Sequence, residues 1–302
     1  PILNKRNKWI NAHLQKSIID AINQSNSIEN VFGCNTSYYY QILSRLSKKI
    51  KKIDLFHAFE ENDSRILDVV NSANTIHKRI VISLKGKSDI VEFYKLHQVN
   101  PQLINNIEVI QNGIELTEAT YSSKNESAIK IGFVGRWSAE KRPELFLEIA
   151  KRINTQVSNI EFVMAGTGMK SNIDLIKNAK VSFLGEITDK EKMIELYKSL
   201  HFVLVTSVYE GFPMVMMEAM AYGVIPISTN VGGIKEHITN NTNGLLIDET
   251  NEEEIINLFC EQILNLLKNP TVKDRISKSA FNYASEHFGI DKFNQSYKNI
   301  FS

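Results

Sequence analysis

The sequence predicts an α/β protein of two domains, each built on a parallel sheet with crossover helices. Three observations predict it. Between residues 129 and 227, short β-branched runs alternate with amphipathic stretches. A helix between two strands carries the chain back to its starting end, so such strands pair in parallel. The chain's 302 residues exceed the roughly 100–200 of a single domain. A second set of strand-like runs precedes residue 122 and is followed by a polar stretch suited to a linker.

In the first 122 residues, 31–34, 53–58, 79–83 and 107–110 read as short strands between helical segments, and Asn112-Gly113 reads as a turn. Residues 122–127 are rich in Ser, Lys, Asn and Glu, which places a linker at 123–127. Residues 129–134 form a β-branched run that stops at Gly135, a buried strand. Pro143 suits a first helical turn, and Leu145, Ile149 and Ile153 follow at spacings of four on one face. Residues 161–165 read as a strand, Gly166-Thr167-Gly168 as a turn, and 181–184 as a strand. Asp189 caps a helix carrying Met193, Leu196 and Tyr197, and 202–205 and 224–227 are the next strands. A helix from about Asn251 has Glu252, Glu253 and Glu254 in its first turn and Lys268 near its end, matching the helix dipole, and Pro270 stops it. Helices over 272–286 and 290–301 finish the chain. The expected domains are 1–122 and 128–285, with 286–302 a terminal helix packing back on the amino-terminal domain.

Composition excludes several classes. A net charge of +1 supplies no global field for nucleic acid. Cys34 and Cys260 lie far apart in no metal-type spacing, so no disulfide framework is expected and a reducing cytoplasm fits. Pro1 is followed by no basic-then-apolar leader, so no signal peptide is expected. The uncharged stretch 219–234 is broken by Gly, Pro, Ser, Thr and Asn. It reads as a buried strand with its turns, not as the roughly 18 apolar residues of a membrane span.

The chemistry gathers at strand ends. The strand at 202–205 runs into Thr206-Ser207-Val208-Tyr209-Glu210-Gly211, and a helix starts near Pro213. Such sheets bind ligands outside the carboxyl ends of their strands. A helix N-terminus offers free amides and partial positive charge to a diphosphate. Glu218, in the second turn, can accept two hydrogen bonds from a ribose cis-diol, while Glu210 can reach another part of the ligand. Two glutamates eight apart are often only solvated; their place on a strand–turn–helix points to a ligand. Gly135-Arg136-Trp137 and then Lys141 put two cations near another helix start. They suit a doubly charged leaving group, though surface cations would look the same. Val231-Gly232-Gly233 allows close backbone approach to a ligand, or an ordinary turn. Lys48, Lys49, Lys51 and Lys52 read as a solvated helix end or as a peripheral contact with an anionic membrane.

In order, Val134-Gly135-Arg136 with Lys141, Ala165-Gly166-Thr167-Gly168, Phe183-Leu184-Gly185, the E-x7-E from Glu210 to Glu218, Ala221-Tyr222-Gly223, Gly232-Gly233 with Glu236, and Asn243-Gly244 resemble the retaining glycosyltransferases of the group 1 family, family four in the usual classification. The resemblance covers nearly all of residues 128–300. It implies the GT-B fold, two Rossmann-like domains with parallel sheets facing a central cleft. It also implies that Arg136 and Lys141 contact the donor diphosphate, Glu210 the sugar hydroxyls and Glu218 the ribose. The amides of the segment Gly211-Phe212-Pro213-Met214-Val215 would touch sugar and phosphate, with the side chains of Phe212, Pro213 and Met214 shaping sugar choice. Gly135 joins this donor set, and the base would lie near Gly168, Leu184 and Ile187. Such enzymes need no divalent metal or other cofactor for donor binding. The sequence has no Asp-x-Asp, consistent with Arg136 and Lys141 neutralising the diphosphate instead.

Ile53-Asp54-Leu55-Phe56-His57 resembles the family's strand ending in a histidine, making His57 the acceptor-side candidate; the alternative is a structural histidine at a strand end. Val81-Ile82-Ser83 with Lys85, and Ile110-Gln111-Asn112-Gly113-Ile114, resemble the segments leading to the linker. No opening strand with a glycine-rich turn is visible before Lys8. The amino-terminal domain therefore lacks its first βαβ unit or is shortened. The expectation is a metal-independent, retaining hexosyltransferase of the cytoplasm, with peripheral contact at the inner membrane face as one of the two readings of the lysine cluster. It would move a sugar from a nucleoside-diphosphate donor, foremost a UDP-sugar, to a saccharide or lipid-linked acceptor in cell-surface polysaccharide or glycoconjugate synthesis. The main alternative is a non-catalytic GT-B-like partner, which the short amino-terminal region favours and the intact E-x7-E opposes. A dinucleotide-dependent oxidoreductase fits less well. Glu186 follows Gly166 by twenty residues, but Ser171 fills the third glycine position.

Overall fold

The computed structural model describes residues 5–59, 63–116, 120–124 and 128–302, with side chains from residue 12 onward. The chain divides into two compact units, Pro1–Gln111 with Ser296–Ser302, and Asn112–Gln295.

The first unit contains α1 (Lys5–Gln24), β1 (Asn30–Cys34), α2 (Ser37–Leu43), β2 (Lys51–Phe56), α3 (Arg65–Asn71), β3 (Lys78–Val81), α4 (Leu84–Leu96) and β4 (Ile107–Val109). Its four strands pair in parallel in the order β1-β2-β3-β4. After Lys51, every residue of β2 is buried, as expected of a parallel strand covered on both faces. Asp54 and Arg79 lie within this core, opposite one another in the β2–β3 register. Ser83 caps α4 by accepting from the Gly86 amide.

The second unit holds β5 (Ile129–Val134), α5 (Pro143–Asn154), β6 (Ile160–Ala165), α6 (Ile173–Asn178), β7 (Val181–Phe183), α7 (Lys190–Ser199), β8 (Phe202–Val205), α8 (Met214–Met220), β9 (Ile225–Thr229), β10 (Leu245–Ile247), α9 (Glu252–Lys268) and α10 (Pro270–His287); α11 (Ile290–Phe301) begins in it. The sheet is parallel throughout, in the order β10-β9-β8-β5-β6-β7. The winding reverses between β5 and β8, which makes the crevice outside their carboxyl ends the topological switch point. The expected caps are formed. Asp189 accepts from Lys192 N, and Asn251 from Glu253 N and Glu254 N.

Two expectations need correcting. Residues 112–124 belong with the second unit, not the first. Ile114 N donates to Phe288 O at 2.8 Å, ahead of the expected linker, and Lys124 Nζ, within it, donates to Lys198 O at 2.9 Å, so both are held to the second unit. Residues 125–127 of that linker lie outside the described residues. The stretch 219–234 is not one strand with turns, because Ala219 and Met220 close α8 before β9 begins. Pro270 opens α10 as well as ending α9. Among the described residues no helix is long and apolar enough to cross a membrane.

Candidate active site

The loops that leave β5 and β8 are laced together. Arg142, at φ 45° just before α5, donates from Nε to Thr206 O at 2.6 Å and from Nη2 to Ser207 O at 3.1 Å. Thr206 Oγ1 donates back to Lys141 O at 2.7 Å and Arg142 O at 3.0 Å. Val208 N donates to Glu140 O at 2.8 Å. This lattice brings Lys141 Nζ to 2.5 Å from Glu210 Oε1 and 3.0 Å from Glu140 Oε1. Ser207 Oγ donates to the same Glu210 oxygen at 2.7 Å. The Glu210 side chain is only 8% exposed. Arg136 reaches Glu140 Oε2 at 3.5 Å but stays largely in solvent. Glu140 thus bridges the two expected cations. A half-enclosed ammonium between two carboxylates can take a developing anion as a further partner.

Glycine permits this closeness. Gly232 has φ +56°, and a Cβ there would stand 1.7 Å from Glu210 O; Gly166 has φ +136°, and its Cβ would stand 1.8 Å from Gly135 O. Gly232 and Gly166 therefore serve approach between loop backbones, a use that neither reading of Gly232-Gly233 from the sequence names.

Beside this crevice lies a cavity of about 500 Å³, walled in part by Ile187, Asp189, Met193, Met214, Glu218 and Tyr222. Glu218 Oε2 accepts from Tyr197 Oη at 2.6 Å. Burial raises the Glu218 pKa above the usual carboxylate range, and the Tyr197 hydrogen bond partly offsets it. Burial, and then the Glu218 charge, push the Tyr197 hydroxyl up, so it stays protonated. The Tyr222 ring stacks on Tyr197 with centroids 6.3 Å apart and planes 7° apart.

Of the expected donor residues, Ile187, Met214 and Glu218 share this cavity, while Arg136, Lys141 and Glu210 gather at the adjoining crevice. Gly168 and Leu184 are not among the cavity's described walls. Gly168 packs against Trp137, and Leu184 is exposed after donating its amide to Met164 O. Phe212 does not shape the ligand side with its ring. It is 2% exposed and packs on His237 and Phe288 with centroids 4.5 and 5.4 Å away. An aromatic ring at that point gains more from the core than from the crevice, leaving only its backbone for a ligand. Val215 also turns toward the core. Pro213 precedes α8, whose first turn has no side-chain cap. Position alone leaves the Met214 and Val215 amides without intrahelical partners.

Glu140, Arg142, Ser207 and Tyr197 were not anticipated. Arg136–Glu140 and Ser207–Glu210 are local, four and three residues apart, but the Arg142 contacts to Thr206 and Ser207 join loops 64 and 65 residues apart, and Tyr197 reaches Glu218 from another helix.

In the first unit, His57 follows β2. Its Nδ1 lies 2.6 Å from Asn35 Nδ2 and 3.9 Å from Cys34 Sγ. Arg65 donates from Nη1 to Asn35 Oδ1 at 3.2 Å and pairs with Asp63. Burial, with Arg65 second, lowers the His57 pKa, which favours the neutral ring. The basic cluster is not a helix end but the turn into β2. Lys52 is buried and donates to Ser47 O and Ile50 O at 3.0 and 3.2 Å, and Lys51 donates to Ser302 O at 3.2 Å. Lys48 and Lys49 remain exposed.

The six-stranded parallel sheet with its switch-point crevice defines a Rossmann-like α/β unit. The family model for glycosyl transferases group 1 matches residues 117–283, and the chain belongs to that family. It is similar to poly(ribitol-phosphate) α-N-acetylglucosaminyltransferase of Staphylococcus aureus, with 25% identity over 81% of this chain and 47% of the relative. It is also similar to N-acetyl-α-D-glucosaminyl L-malate synthase of Bacillus anthracis, with 24% identity over 87% and 70%. Among solved structures, the pneumococcal O-GlcNAc transferase GtfA with UDP and GlcNAc superposes with TM-score 0.76 at 17% identity, over 95% of this chain and 58% of that one. HepE of Anabaena with UDP-glucose gives 0.74 at 17% identity, over 95% and 81%. These likenesses show the fold, which is GT-B. The chain spans about half the length of the first curated relatives it matches, 43%, 47% and 55%.

Proposed function

We propose that the chain is the donor-binding portion, with part of the acceptor portion, of a retaining glycosyltransferase. It takes a sugar from a nucleoside-diphosphate donor, foremost a UDP-sugar, to a saccharide or lipid-linked saccharide acceptor. The observation that carries this is the 2.5 Å Lys141–Glu210 pair at the switch point, with Glu218 facing the adjoining cavity. The complexes with UDP-glucose and with UDP and GlcNAc in proteins of the same fold support the donor class. Relatives named for poly(ribitol-phosphate) and for an undecaprenol-linked saccharide support the acceptor class and a role in cell-surface glycoconjugates.

Negative charge grows on the diphosphate as the glycosidic bond breaks. Lys141, Arg136 and the amides of the loop before α8 receive it, and no divalent metal is required. Glu210 Oε1 is held by Lys141 and Ser207. A carboxylate stabilised in this way is a poor nucleophile but orients sugar hydroxyls well. Attack then comes from the face the diphosphate vacates, which retains configuration. Met214, exposed at the start of α8 and lining the cavity with Glu218, is the side chain of the 211–215 segment that this reading assigns to the donor. His57 stands on the acceptor side as a neutral hydrogen-bonding ring. The reaction belongs to the cytoplasm, and Lys48 and Lys49 are the cations for contact with an anionic inner leaflet. Thermal-shift titration with UDP, GDP and ADP, then turnover of the matching nucleotide sugars, tests the reading. Stabilisation by one nucleotide and release of that nucleotide from its sugar are expected. No binding by any of the three overturns the proposal.

A further inference from the structure

We infer that Tyr197 is the positioning residue of the ribose subsite, holding one oxygen of Glu218 so that the other is presented to a vicinal diol. The inference rests on the donor reading above and deepens it.

Packing explains the Tyr197 ring but not its hydroxyl. The ring lies among Val163, Ala165, Leu200, Val203 and Val224, where phenylalanine would fill the same space. The hydroxyl crosses from α7 to α8 and donates to Glu218 Oε2 at 2.6 Å. Among the described residues no hydrogen bond reaches Oε1, and no ion pair reaches Glu218 at all. α8 carries no basic residue, and Lys190, the cation in the cavity wall, pairs with Glu115. The site is therefore a half-buried carboxylate with one neutral donor on one oxygen and a cavity before the other. A cationic ligand group would not need Tyr197, since charge alone would orient it. Neutral hydroxyls do need the acceptor fixed in direction, because their hydrogen bonds weaken steeply with misalignment. The Tyr222 ring lies parallel to the Tyr197 ring, and both residues line the cavity. Tyr197 touches no reacting atom, so its effect falls on donor affinity and not on the chemical step.

The test uses Tyr197→Phe and Glu218→Gln. Probes are the nucleoside diphosphate that binds best of UDP, GDP and ADP, and its 2′,3′-dideoxy counterpart, which lacks the diol. Tyr197→Phe should weaken the ribonucleotide about tenfold, the scale of one hydrogen bond to a charged group. It should leave the dideoxy nucleotide within about twofold, because that ligand never uses the fixed oxygen. KM for the nucleotide sugar should rise with kcat unchanged, and Tyr197→Phe added to Glu218→Gln should weaken binding no further. A merely structural tyrosine would lower affinity for both nucleotides in parallel, which overturns the inference. So does wild-type affinity in Tyr197→Phe. Binding of none of the three nucleotides by the unmodified protein overturns the donor reading and this inference with it.

Discussion

Lys141 Nζ lies 2.5 Å from Glu210 Oε1 across 69 residues of sequence. Neither side chain could be placed there alone. The Arg142 guanidinium and the Thr206 hydroxyl lock the two loops together. Lys141→Ala removes a donor aimed at the departing diphosphate and should lower kcat by about 10²–10³. The loss should appear equally in kcat/KM, the mark of an interaction made in the transition state. Steady-state turnover with the preferred nucleotide sugar measures it, and Lys141→Arg, which keeps the charge, should retain more activity. Unchanged turnover in Lys141→Ala would remove Lys141 from the mechanism.

Gly232→Ala should abolish donor binding and destabilise the second unit. Its Cβ would meet the Glu210 carbonyl oxygen at 1.7 Å and the carbonyl carbon at 2.8 Å, and backbone cannot yield as a side-chain tip can. Gly185 is the control, with φ +80° but open space around its Cβ. Gly185→Ala should cost only the left-handed backbone penalty of about 1–2 kcal/mol and still bind donor. Urea unfolding and nucleotide titration of both variants separate the effects. Equal behaviour of the two would mean that loop contact does not set the site.

Glu218 gives stability a pH signature. Its folded-state pKa is raised by burial, so the folded protein binds this proton more tightly than the unfolded chain does. The term favours folding below the ordinary carboxylate pKa of about 4.3 and is lost as pH rises through the raised value. Glu218→Gln removes the buried charge and should raise Tm at pH 7 to 8, with the gain shrinking as pH falls toward about 4.3. Donor affinity should fall in the same variant. A Tm difference independent of pH would show that the carboxylate is not desolvated as described.

Much of the second unit was legible because its strands are mostly apolar, β-branched runs and two of its helices carry side-chain caps. Asp189, Asn251 and Pro143 all act where local chemistry places them. β10, Leu245–Ile247, is not among the strands the sequence predicts. The end of the first unit was misplaced because the pairing of Ile114 with Gly289 is long-range and leaves no local mark. At the site, the residue types at the strand ends were readable. The orientation of Phe212 was not, since an apolar side chain in a loop does not reveal whether core or ligand claims it. Tyr197 counted only as one apolar position of a helix, because its hydroxyl acts on another element. Asp54 and Arg79 each stood in a recognised strand, yet only sheet register sets them opposite one another.

That pair makes the first unit depend on a buried charge. Arg79 donates from Nε and Nη2 to Asp54 at 3.0 and 2.7 Å, from Nη1 to Val69 O at 2.7 Å and Tyr94 Oη at 2.6 Å, and from Nη2 to Ser72 Oγ at 2.8 Å. Tyr40 Oη donates to Asp54 Oδ2 at 2.8 Å. One guanidinium thus joins β2, β3, α3 and α4, and the carboxylate adds α2. Arg79→Met should destabilise the first unit by about 3–5 kcal/mol, because Asp54 is left buried without its cation. Asp54→Asn combined with Arg79→Met should recover part of that loss, since no lone charge remains. Denaturant unfolding, with hydrogen exchange followed at 51–56 and 78–81, measures both variants. If the single variant loses no more than the double, the arginine is held by packing and its charge is incidental. If the single variant loses more, the strand that ends beside His57 keeps its place through electrostatics, and acceptor-side substitutions must be judged against the stability of that pair.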